Sequence, residues 1–109
     1  VVARRQAELD KLAAEVTAKH QVKVEVIALD LSSPAAPADL YARTEGAGTA
    51  IDILINNAGF GYFRRFDEVD WARDAELIQL NMTSLVALAR CFVDAHKAST
   101  ASTAYALLL

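Results

Sequence analysis

Apolar residues in this chain alternate between two kinds of spacing, and the switches mark its elements. Val1-Val2-Ala3 reads as the tail of a strand. From Arg4 the spacing becomes helical: Leu9, Leu12, Ala13 and Val16 recur every three or four residues, with Arg5, Glu8, Lys11 and Glu15 between them. That pattern predicts an amphipathic helix packed by one stripe. Val22, Val24, Val26 and Ile27-Ala28-Leu29 then predict a strand ending at Asp30. Pro34-Ala35-Ala36-Pro37 suits a helix start. Leu40-Tyr41-Ala42 continues a short second helix, which Gly46 and Gly48 close. Ile51-Asp52-Ile53-Leu54-Ile55 is a short β-branched and aliphatic run, which predicts a buried strand of a parallel sheet. An aromatic loop from Gly59 to Phe66 follows, then the acidic residues Asp67, Glu68 and Asp70. A long helix is predicted from about Trp71 to about His96, with those carboxylates at the positive end of its dipole. Beyond Lys97, Ala-Ser-Thr-Ala-Ser-Thr-Ala is low-complexity, and residues 98–109 form a tail of uncertain structure.

Strands that alternate with helices imply crossover connections and a parallel sheet covered on both faces, an α/β architecture. Composition agrees: 54% of the residues are hydrophobic, which suits a buried core and argues against disorder. The net charge of −3 leaves no basic footprint for nucleic acid. Cys91 is the single cysteine and cannot form an internal disulfide. No unbroken apolar run reaches the roughly 18 residues of a membrane span, so a cytoplasmic protein is expected. The chain opens on Val1-Val2 rather than on methionine and is expected to be a piece of something longer.

Chemistry concentrates where the central strand ends. Asn56 and Asn57 are too polar for a strand end without a task, because a buried amide must find partners. Ala58 and Gly59 follow with almost no side chain. In open α/β sheets that carboxyl edge is where ligands sit. Asn56-Asn57-Ala58-Gly59 after Ile51-Asp52-Ile53-Leu54-Ile55 closely resembles the signature of the short-chain dehydrogenase/reductases, and the resemblance covers about Val1 to Lys97. It implies a partial Rossmann-type doubly wound parallel sheet over residues 1–97. It also implies an enzyme that moves hydride between NADP(H) and a small-molecule carbonyl or secondary alcohol, with a lean toward ketoreductases.

The family pattern assigns roles residue by residue. Arg4 stands at the end of the second family strand, where an acidic residue would bind a ribose 2′-hydroxyl and a cation accepts a 2′-phosphate. A guanidinium suits phosphate because it stays charged and pairs in a forked geometry. Otherwise Arg4 and Arg5 merely solvate a helix start, where the dipole disfavours cations. By the same resemblance Asp30 accepts from the adenine amino group and the Leu31 backbone helps to hold the ring. The bland alternative makes Asp30 a turn residue capping Ser32-Ser33-Pro34. Asn57 would lie along the cofactor ribose, and Ala58-Gly59 would let the nicotinamide half approach the backbone, while Asn56 ties strands together. Asn81 interrupts the apolar stripe of the long helix, and Asn81-Met82-Thr83-Ser84 resembles the family's Asn-x-x-Ser/Gly segment. There the asparagine serves catalysis by bending the helix and holding a water that links the catalytic lysine to solvent. The long helix commonly builds the family's dimer interface, so a homo-oligomer through residues 71–96 is expected.

Two family elements are missing from this sequence. No glycine-rich turn precedes the first helix, and Tyr105 is followed four residues on by Leu109 rather than by a lysine. Ser99 and Ser102 carry no role. The chain alone is therefore expected to be inactive, with a non-catalytic nucleotide-binding remnant or interaction module as the alternative. A methyltransferase using S-adenosylmethionine fits less well, since it expects an acidic residue in place of Ala3-Arg4. Cys91 reads as a packed thiol, and His20 and His96 lack partners at metal-ligand spacing. Phe60, Tyr62, Phe63, Phe66 and Trp71 read as core or cleft lining.

Overall fold

The computed structural model describes residues 1–97 and 105–108; the Ser99 and Ser102 positions lie outside them. The chain forms two compact units, Val1–Leu31 and Ser32–Leu109.

In the first unit, β1 (Val2–Ala3) pairs in parallel with β2 (Ile27–Ala28), and α1 (Gln6–His20) connects them. The Ile27 and Leu29 amides donate to the Val1 and Ala3 carbonyls at 3.0 and 2.9 Å. The strand foreseen over 22–29 is thus cut to its last residues, because ladder bonds need a partner and the partner strand spans only Val2–Ala3. Of the α1 stripe, Leu9 is buried, whereas Leu12 is 44% exposed. The helix starts on Arg5 in extended conformation, with no side-chain cap.

In the second unit, α2 (Ala36–Arg43) carries Pro37 in its first turn, where a missing N–H costs nothing. A 3₁₀ turn, Glu45–Ala47, ends at Gly48 with φ +88°, a conformation that side chains rarely adopt. β3 (Ile53–Asn56) pairs in parallel with β4 (Tyr105–Leu108), Ile53 opposite Tyr105 and Asn56 opposite Leu108. Low-complexity composition hides β4 from a sequence reading. β3 is not buried on both faces: Ile53 and Ile55 are 60% and 59% exposed, while Asn56 is buried. Among the described residues the sheet has two strands, with α4 packed against β3, so period two leaves the other face open.

The long helix is real but not uniform. α3 (Trp71–Ile78) is capped by Asp70, whose carboxylate accepts from the Ala72 amide at 2.7 Å. Gln79–Ser84 forms a π segment, and α4 (Leu85–Lys97) follows. α4 packs on β3 and α2. Ser84, Leu88 and Phe92, spaced by four, turn inward and share the core with Ala36 and Leu40. Of the aromatic residues read as core or cleft lining, none is in the core, and Phe60 is half-buried. Phe63, Phe66 and Trp71 are fully or largely exposed, because the 3₁₀ turn Phe66–Glu68 and the loop before it contribute no buried residue.

His96 and Glu45 meet under the end of α4. The His96 imidazole lies 3.6 Å from the Glu45 carboxylate, makes a 2.8 Å hydrogen bond with the Phe92 carbonyl, and stacks obliquely on the Phe92 ring. Burial raises the Glu45 carboxyl above its ordinary 4.5, and the His96 charge only partly opposes this. An acid whose folded value is raised binds protons more tightly when folded. Its contribution is therefore fully present below pH 4.5 and is lost as pH rises through the folded value. Glu45→Gln should melt higher than the parent at pH 7 and at about the same temperature near pH 3.5. A gain that is equal at both pH values would exclude titration as its cause.

Candidate functional site

The candidate site begins where β3 stops. Asn57, Ala58 and Gly59 leave the strand exposed. Asn81 reaches this segment from the π segment and clasps the next residue twice. Its Oδ1 accepts from the Phe60 amide at 3.1 Å, and its Nδ2 donates to the Phe60 carbonyl at 2.8 Å. One carboxamide thus satisfies both backbone groups of a single residue, as a neighbouring strand would. The close approach also explains Gly59: a Cβ there would lie 3.1 Å from Asn81 Oδ1. The helix locally adopts π geometry at the residue that does this, a departure frequent at functional positions.

Two side chains of α3 complete the surroundings. The Arg73 guanidinium lies 4.1 Å above the centre of the Phe60 ring and bonds Glu76 at 2.6 Å. The Tyr62 hydroxyl donates to the Asp74 carboxylate. The donated proton, some loss of water and the carboxylate charge hold the Tyr62 phenol above its usual range, with Arg73 pulling the other way. Sequence reading missed all of these contacts. The usable signal was Arg73, a cation in the first turn of a helix, where the dipole disfavours it.

Asn56, just inside the edge, is 6% exposed, and its Nδ2 has no hydrogen-bond partner among the described residues. A buried donor of this kind calls for an acceptor. In the first unit, Arg4 is exposed directly after β1, Asp30 is exposed after β2, and Leu31 is buried. The structure brings together Asn57, Ala58, Gly59 and Asn81, all in the second unit. An open cavity of about 750 Å³ is lined by residues including Glu45, Asp52, Cys91 and His96, and by none of Asn57, Ala58, Gly59 and Asn81. Cys91 is accordingly half-buried there rather than fully packed. Among the described residues no three His, Cys, Asp or Glu side chains gather as a metal site.

Parallel strand pairs joined through helices, with an amide-rich strand end at one edge, define a Rossmann-type α/β chain. The sequence model of the short chain dehydrogenase family matches residues 1–103, and the chain belongs to that family. Solved structures agree. A short-chain dehydrogenase from Sphingobium yanoikuyae in complex with NADPH is 33% identical over 96% of this chain and 41% of its own, with a TM-score of 0.83. The bulky-bulky ketone specific alcohol dehydrogenase from Comamonas testosteroni is 32% identical over 87% of this chain and 38% of its own, with a TM-score of 0.79. L-sorbose reductase from Gluconobacter frateurii, complexed with NADPH and L-sorbose, is 28% identical over 89% of this chain and 37% of its own, with a TM-score of 0.79. The chain thus spans about two fifths of the length of these relatives.

Proposed function

We propose that this chain is the cofactor-binding part of an NADP(H)-linked oxidoreductase acting on a carbonyl or secondary alcohol, in the manner of a ketoreductase. The observation that carries the reading is the exposed Asn57-Ala58-Gly59 edge, whose next residue, Phe60, is fixed at both its N–H and C=O by Asn81. When bound, the nicotinamide supplies the hydride chemistry. This chain's residues bind and orient. Asn57 offers a carboxamide along a ribose, and Ala58-Gly59 offers bare backbone to a flat ring. Arg4 offers a forked cation to a 2′-phosphate, and Asp30 with the Leu31 backbone takes the adenine. The exposure of Arg4, Asp30 and Asn57-Gly59 fits these tasks. Relatives solved with NADPH support the choice of cofactor. Asn81 is assigned to catalysis as the residue that sets the helix path beside the reacting groups.

The test is NADPH oxidation with a panel of ketones, run on the intact protein and on the 109-residue chain alone. Turnover by the intact protein and none by the chain is expected. Activity in the isolated chain would overturn the expectation that it is inactive alone. Saturable cofactor binding with no turnover on any carbonyl would favour a non-catalytic binding module.

A second copy of the chain is the proposed protein partner, in a cytoplasmic setting. Trp71, Ile78, Met82, Val86 and Val93 form an exposed apolar stripe along the long helix, 42% exposed or more. Trp71–Lys97 is 27 residues long and contains an 18-residue window of mean hydropathy 1.2, enough to meet a membrane-span criterion by length and composition alone. Arg73, Asp74 and Glu76 near one end and Arg90 and Asp94 near the other argue for packing between a sheet and a second copy instead. Val86→Asp should shift the sedimentation profile of the intact protein from dimer to monomer at micromolar concentration. An unchanged profile would move the interface elsewhere.

A further inference from the structure

The loop that carries the candidate site is tied down a second time. Phe60 is fixed through its backbone by Asn81 and through its ring by Arg73. Two residues on, Tyr62 is fixed through its hydroxyl by Asp74. Arg73 and Asp74 are neighbours near the start of α3, so one turn of helix grips two side chains of one loop. The two rings also contact each other, with centroids 6.5 Å apart.

This arrangement breaks a local rule. Arg73 is a cation near the positive end of a helix, which costs stability unless something offsets it. Its contacts are the Phe60 ring and Glu76. Local rules are broken where function requires it. The beneficiary is the segment immediately upstream, because Gly59 is joined to the residue being gripped. Its bare backbone offers no side chain of its own to fix its position.

We propose that Arg73 and Asp74 are positioning residues for cofactor binding. By holding Phe60 and Tyr62 they pre-set the Asn57-Ala58-Gly59 backbone in the conformation that receives the nicotinamide half of the dinucleotide. The inference rests on the oxidoreductase reading above. Fixing a loop before binding removes an ordering cost from each binding event, so loosening it weakens affinity without touching the reacting atoms.

The experiment measures NADPH affinity by quenching of protein fluorescence in the intact protein, alongside melting temperature and the separate values of kcat and KM for NADPH. Tyr62→Phe and Asp74→Ala each remove one hydrogen bond and should weaken NADPH binding about fivefold. KM for NADPH should rise by the same factor, with kcat unchanged. Asp74→Asn keeps an oxygen that accepts from Tyr62 and should restore affinity to near the parent value. Arg73→Lys keeps the cation over the ring and should fall between the parent and Arg73→Ala. Amide exchange at Phe60 and Tyr62 should quicken in Tyr62→Phe and Asp74→Ala. Variants that melt like the parent and bind NADPH equally well would overturn the positioning role while leaving the oxidoreductase reading intact. A loss in kcat alone would overturn it too. If the unmutated protein does not bind NADPH, the functional reading falls first and the positioning role with it.

Discussion

Asn81→Ala should cost the protein about 2 kcal/mol of stability, since two hydrogen bonds at a half-buried position are lost at about 1 kcal/mol each. In a domain of the relatives' size that is a drop in melting temperature of roughly 4–8 °C. Cofactor affinity should fall about tenfold as well, because the Phe60 peptide is the downstream anchor of Asn57-Ala58-Gly59. The informative companion is Asn81→Asp. It keeps an oxygen for the Phe60 amide but turns the donor facing the Phe60 carbonyl into a second oxygen. The aspartate should therefore be no better than alanine, although it is nearly the same size. An aspartate variant that melted and bound like the parent would mean the double clasp is incidental to both properties.

Arg4→Glu should lower NADPH affinity about a hundredfold and leave NADH affinity nearly unchanged. A charge-assisted contact to phosphate contributes about 1.5–3 kcal/mol, and the reversed charge adds repulsion. Arg4→Lys should lose about tenfold, because a lysine keeps the charge without the fork. Measured as the ratio of the two affinities, the effect is insulated from general damage to the fold, which would lower both alike. An equal loss for the two cofactors would show that Arg4 merely solvates the start of α1. If Arg5→Glu rather than Arg4→Glu changed the ratio, the assignment would move one residue along.

The order of elements and the strand end were legible because each rests on local chemistry. A β-branched run closed by Asn56-Asn57-Ala58-Gly59 has few other readings. The interruption at Asn81 was visible for the same reason, as an amide inside an apolar stripe. What it bonds to was not visible, since Phe60 lies 21 residues away and periodicity carries no information across a turn. The exposed ring of Phe63 and the exposed indole of Trp71 were misplaced because hydrophobicity says that a residue prefers burial, not that a partner surface is available. β4 was hidden behind a low-complexity stretch, although Tyr105-Ala-Leu-Leu is itself suited to a parallel strand. Asp74 was overlooked because Asp70, four residues earlier, already accounts for the acidic helix start.

The π segment at Gln79–Ser84 also sets a phase. Each α-helical residue advances the side-chain direction by about 100°. The face that meets β3 and α2 downstream is therefore fixed by how many residues lie upstream of it. Deleting a single residue such as Met82 would let the segment close into ordinary α geometry, which absorbs the lost residue and leaves the downstream face where it was. The same deletion within α3, where no extra residue is stored, would swing everything after it around the axis and turn Leu88 and Phe92 away from the core. Between Trp71 and Lys97 the chain should therefore tolerate a change of length at the π segment and nowhere else.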